Sequence, residues 1–293
     1  MFKSIKKIFS VSYENNHKVF TIFGIKIKCN CLTAYNNSLS QSLILDLKTQ
    51  IMAQKINYNL KKYKNCNNNK SIVVIGGGET LKYYENPSNS NDNIFVGLNR
   101  AYKIKDINFD YLFCQDRFDY VDETTEFINY NPDNCKKFIG HITIPNTPYR
   151  YRINKYVEIK NGELYILDNK RMGEIPLNIT IEPFADLCGT VFSALQFLIY
   201  TNPKKIYLYG FDCNVSHLFE TDPAHFDLSY QYASWLKIKD FIDNNTLNIE
   251  IISVNPVGLK GLFRDVYTQS FVDAHPELLK ENIEIINEDT ENI

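Results

Sequence analysis

The feature that most constrains this chain is a repeated cycle. A short run of β-branched and aromatic residues breaks at glycine, asparagine or aspartate, and a longer stretch of helical character follows. Six such runs stand out. Residues 71–75 (SIVVI) end at Gly76, Gly77 and Gly78, residues 93–97 at Leu98, Asn99 and Arg100, and residues 109–114 at Gln115 and Asp116. Residues 136–140 form a fourth run, residues 205–210 end at Phe211 and Asp212, and residues 249–254 end at Asn255 and Pro256. Between them, residues 189–200 (GTVFSALQFLIY) are apolar over a helical length, and residues 230–242 are amphipathic. Alternating strands and helices predict an α/β fold: a Rossmann-like, mostly parallel sheet with helices on both faces.

The flanks read differently. Residues 1–62 hold a basic amphipathic start (MFKSIKKIF), a hairpin-like stretch over 18–28 and a helix from about 40 to 62. The Asn-rich segment 61–70 reads as a linker into the main domain, 71–260. Residues 145–185 carry Pro145, Pro148, Pro176 and Pro183, and Asn161-Gly162 favours a tight turn between 156–159 and 164–167. That region is expected to be a small insertion or cap. Residues 261–293 are expected to form a helical tail.

Composition removes several classes of function. Lys and Arg total 32 against 34 Asp and Glu, a net charge of -2, so the chain has no global electrostatic footprint of a nucleic-acid binder. No apolar run approaches the ~20 residues needed to span a bilayer. The seven cysteines are irregularly spaced and include no pair of pairs for zinc, so reduced thiols in a cytoplasmic protein are expected. The basic first turn is compatible with peripheral contact at the inner face of a membrane, and equally with an ordinary terminal helix.

In parallel α/β sheets ligands bind beyond the carboxyl ends of the strands, at the crossover of strand order. Three clusters sit there. Gly76, Gly77, Gly78 and Thr80 let backbone approach a ligand and offer N–H groups to phosphate oxygens, or else form a packing turn. They match neither G-x-G-x-x-G nor a P-loop. Asn99 offers an amide suited to a base or ribose edge, or caps a helix. Gly189 and Thr190 open an apolar helix, where an anion or a plain cap would suit.

Taken together, GGGET, LNRA, CGTV and YLYGFD resemble bacterial sialyltransferases that use CMP-sialic acid in lipooligosaccharide synthesis. They also resemble a related group, the motility-accessory flagellin glycosyltransferases and an archaeal-type 6-hydroxymethylpterin pyrophosphokinase. The resemblance covers about residues 70–260. It implies nucleotide contacts at Gly76, Gly78, Thr80, Asn99, Gly189, Thr190 and Asp212, with Gly77 where the family has asparagine. It implies a general base near Tyr230, where this chain offers His225 or His217 instead, with Asp116 as the next candidate. The implied activity is transfer of an acidic sugar from a CMP-sugar to a hydroxyl of a surface glycan, lipid-linked or free. No cofactor is implied, and the absence of Asp-x-Asp agrees with metal-independent transfer. The pyrophosphokinase alternative needs ATP and Mg²⁺, hence convergence of Asp116 and Asp212. A non-catalytic nucleotide-binding protein is the third reading.

Overall fold

The computed structural model describes residues 9–14, 17–22, 25–30, 34–86, 93–115, 126–131, 133–142, 162–213 and 231–286. The chain divides into two compact units, 1–48 and 49–293. In the first, β1 (Phe9–Glu14), β2 (His17–Ile22) and β3 (Ile25–Asn30) form an antiparallel meander. β2 and β3 are the expected hairpin, and β1, which begins at the end of the basic start, adds a third strand beside it. A 23-residue helix spans Ala34–Ile56.

The second unit is built on nine strands. They are β4 (Ser71–Ile75), β5 (Ile94–Leu98), β6 (Tyr111–Cys114), β7 (Lys136–Ile142), β8 (Gly162–Arg171), β9 (Phe184–Asp186), β10 (Lys205–Tyr209), β11 (Glu250–Val254) and β12 (Arg264–Val266). Their order is β12-β11-β10-β4-β5-β6-β7-β8-β9, and every pairing is parallel. Successive side chains go to opposite faces, as the strand period requires. Ile72 and Val74 join one core cluster and Val73 and Ile75 the other.

The helix Thr190–Thr201 and the helix Tyr232–Asn244 cover the first face, together with Leu60 and Tyr63. Phe113 stacks on Phe138 at 4.6 Å, and Phe138 meets Phe197 of the helix at 4.5 Å. The opposite face is closed by short 3-10 turns over Glu79–Tyr83 and Asn99–Lys103, which bury Leu81, Ala101 and Tyr102. Cover on both faces explains the near-continuous apolar strands.

Two stretches extend the main sheet where other elements were expected. Gly162–Arg171, expected to carry the second arm of a hairpin on a cap, pairs in parallel with β7, Leu164 opposite Ile139; residues 156–159, the expected first arm, lie outside the described residues. Tyr165, Ile166 and Leu167 are buried in succession, which only a strand covered on both faces allows. Asn57 pins this edge: its carbonyl oxygen accepts from Ile166 N at 2.8 Å and its amide donates to Glu182 O at 2.9 Å. The stretch read as a helical tail begins with β12, which pairs with β11 and extends the sheet. A helix, Gln269–Ala274, comes only after it.

Candidate functional site

The chain order β4 to β9 builds one wing of the sheet outward from β4. The helix Thr190–Thr201 then returns the chain to the other side of β4 as β10. The crossover therefore lies between the carboxyl ends of β4 and β10, where two loops diverge. The motifs read from the sequence fall there: Gly76, Gly77 and Gly78 leave β4, Asn99 leaves β5, and Gly210 and Asp212 leave β10. Strand ends in this region turn through left-handed residues, Asn99 at φ 49°, Gly210 at φ 70° and Asn255 at φ 51°. Asparagine and glycine tolerate that conformation best.

The glycine loop is tied down more than a free phosphate cradle would be. Gly76 N donates to Tyr209 O and Gly78 N to Gly210 O, each at 2.8 Å. Only the Gly77 amide, half-buried, donates no hydrogen bond among the described residues. Thr80 is likewise engaged. Its backbone N donates to Asp212 Oδ2 at 3.0 Å and its hydroxyl donates to Asp212 Oδ1. Asp212 is 3% exposed. Burial pushes its carboxyl up from the usual range, and bonds from the Thr80 side chain and from the Thr80 and Glu79 backbones pull it back. Its backbone oxygen accepts from Gly258 N at 2.9 Å, so a third loop, after β11, joins the same knot.

The second cluster also converges. Gly189 is the N-cap of the helix Thr190–Thr201, and no side chain caps that end. Thr190 does not cap; its hydroxyl donates to Asn99 Oδ1 at 3.1 Å and so joins the helix start to the end of β5. One turn on, Ser193 Oγ accepts from Gln115 Nε2 at 2.8 Å, at the end of β6. The resemblance assigns no role to Gln115 or Ser193, yet their placement is legible: Gln115 follows β6 directly, and Ser193 stands three residues after Thr190 on the same helical face. Gln231 lies against this turn, its amide donating to Cys188 O at 3.4 Å.

Asn255 is occupied elsewhere. It exchanges hydrogen bonds with Thr268, the N-cap of the helix Gln269–Ala274. Asp116, His217 and His225 lie outside the described residues, as does 149–152. Among the described residues no group of three His, Cys, Asp or Glu could hold a metal ion. No described helix is long and apolar enough to cross a membrane. Among the described residues Cys114 and Cys135 are buried, Cys188 and Cys213 half-buried and Cys66 exposed, and none of these five forms a disulfide.

No family model matches the chain, and no curated protein does. Among solved structures the chain is similar to the sialyltransferase CST-II in complex with a trisaccharide acceptor and CMP. That match has 14% identity and TM-score 0.41 over 76% of this chain and 88% of the other. It is also similar to CstII from Campylobacter jejuni with cytidine-5'-monophosphate, at 13% identity and TM-score 0.39, over 63% and 80% of the two chains. A third is the MAf glycosyltransferase from Magnetospirillum magneticum AMB-1, at 7% identity and TM-score 0.39, covering 69% of this chain and 36% of that one.

Proposed function

We propose that this protein is a metal-independent glycosyltransferase that takes an acidic sugar, of the sialic acid kind, from a CMP-sugar donor. The observation that carries the reading is the hydrogen bond between Asn99 and Thr190 beside the β4–β10 crossover. It joins two of the motifs on which the family resemblance rests, on adjacent sides of the crossover cleft. In this reading the Asn99 amide recognises the base or ribose, while Gly77 N–H and the uncapped amides at Gly189 and Thr190 face the phosphate. As the glycosidic bond breaks, the sugar gains oxocarbenium character and charge grows on the departing phosphate. Fixed N–H donors stabilise that charge without a metal. A general base takes the proton of the acceptor hydroxyl; His225, His217 and Asp116 are the candidates.

The position of Asp212 supports this reading against the pyrophosphokinase one. Binding Mg²⁺ for ATP would need its carboxylate, whose oxygens already accept from Thr80. We assign the acceptor to a bacterial surface glycan, lipid-linked or free, reached at the inner face of the membrane through the basic segment at residues 1–10. Deleting those residues should lower recovery with membranes; unchanged recovery would remove that placement.

The deciding experiment is a thermal-shift screen with CMP, CDP, UDP, GDP and ATP, with and without Mg²⁺. CMP at about 100 times its Kd should add roughly 2.7 kcal/mol of stability in both conditions. Stabilisation by ATP alone, and only with Mg²⁺, would overturn the reading.

A further inference from the structure

We propose that Thr80 and Asp212 form a positioning lock that sets the crossover cleft, and that neither touches the ligand. The sequence resemblance counts both as nucleotide contacts, yet the structure turns them toward each other, buried. The Asp212 side chain holds the 3-10 turn that follows the glycine loop, through Thr80 N, Thr80 Oγ1 and the Glu79 backbone. Its backbone oxygen holds the loop after β11 through Gly258 N. The contact is close on every side. A Cβ at Gly78 would lie 2.6 to 2.8 Å from the carboxyl atoms, and one at Gly258 would lie 2.6 Å from Asp212 O. With Gly76 N and Gly78 N bound to the end of β10, the lock fixes a loop whose remaining donor is Gly77 N–H. Thr80 and Asp212 thus act through Gly77, and their contribution to binding is shared rather than separate.

The ligand in this inference rests on the proposed function; the lock itself does not. The test is a double-mutant cycle on the full chain with Thr80→Val, Asp212→Asn and the double variant, plus Thr80→Ser as the conservative control. CMP affinity is read by calorimetry without metal, and amide hydrogen exchange is read on the ligand-free protein. A lock predicts that each single variant weakens CMP about tenfold or more, and that the double variant is no weaker than the poorer single by more than about twofold. Thr80→Ser keeps the hydroxyl and should stay within about twofold of the parent. In the ligand-free protein, exchange at Gly77, Glu79 and Thr80 should rise together in both single variants.

Losses that multiply in the double variant would overturn the lock, because independent contacts to the ligand behave that way. Unchanged affinity in both singles would overturn it too. If the parent chain binds no CMP, the proposed function falls, and exchange alone decides: a common rise supports the lock, and exchange unchanged at Gly77 refutes it. If Asp212→Asn does not fold, the contrast between Thr80→Val and Thr80→Ser carries the decision.

Discussion

Replacing Gly78 by alanine should destabilise the protein, but only while Asp212 is present. The backbone at Gly78 has φ −70° and ψ 158°, which alanine adopts without strain. The obstacle is the carboxyl group: an added Cβ would lie 2.6, 2.7 and 2.8 Å from its three atoms. Relief to ordinary contact needs a retreat of roughly 0.6–0.8 Å. The Thr80 N to Oδ2 bond is 3.0 Å, and a retreat of that size carries it past the range of a real hydrogen bond. Losing a bond to a buried carboxylate costs about 1.5–3 kcal/mol. Against that, alanine restricts the unfolded chain and returns about 0.4–1 kcal/mol. Gly78→Ala should therefore cost about 0.5–2.6 kcal/mol. In an Asp212→Ala background the obstacle is gone and only the unfolded-state term remains, so the same substitution should stabilise by about 0.4–1 kcal/mol. Urea unfolding of the four proteins measures both numbers, provided that the slopes agree. An equal cost in the two backgrounds would refute the reasoning.

Other expectations test the remaining parts. Asn99→Ala and Thr190→Val should each weaken CMP about tenfold and move the urea midpoint little; a normal CMP titration in both would remove Asn99 from the site. Phe197→Ala should cost about 3–5 kcal/mol in the same unfolding assay, because Phe197 is fully buried among Tyr63, Tyr111, Phe113 and Phe138. Stability should fall on the alkaline side. Burial raises the Cys213 thiol to about 11 and the Cys135 thiol to about 12, against an ordinary value of 9.0. The folded state then holds protons that the unfolded chain has lost, so this stabilisation is complete below pH 9 and is lost as pH rises toward 11–12. A urea midpoint that rose between pH 8 and pH 11 would contradict that sign. The same burial predicts that a thiol reagent at pH 8 labels exposed Cys66 well before Cys135.

The sheet was legible in the sequence where strands are uninterrupted and end in a conformationally distinctive residue. β4, β5, β6, β10 and β11 all have that form, and their ends located the crossover of strand order. β8 was hidden because Asn161-Gly162 draws attention to a local turn, whereas the parallel pairing of Gly162–Arg171 with β7 is a non-local choice that no local pattern announces. β9 and β12 have three residues each, too few for a period to register. At the site, residue types told which side chains gather but not what each one holds. Thr80 and Asp212 look like ligand contacts because they are polar and stand at strand ends. Only the fold shows that they bond to each other. The Gly76 and Gly78 amides, which a sequence presents as open donors, are taken up by the end of β10 for the same reason.

The central pairing of the sheet has a consequence for how the protein comes into being. Thr80 and Asp212 stand 132 residues apart, and β4 meets β10 in register over Ser71 to Ile75. A ribosome delivers the first wing, β4 through β9, while the inner flank of β4 has no neighbour and its backbone groups lack half their ladder. During that interval the nascent chain carries an open strand edge at what will be the middle of the molecule, the place where a second chain could add itself. The arrival of β10 seals that edge and brings Asp212 to Thr80 in one event, so a chain stopped before Lys205 would lack that pairing and would be prone to associate.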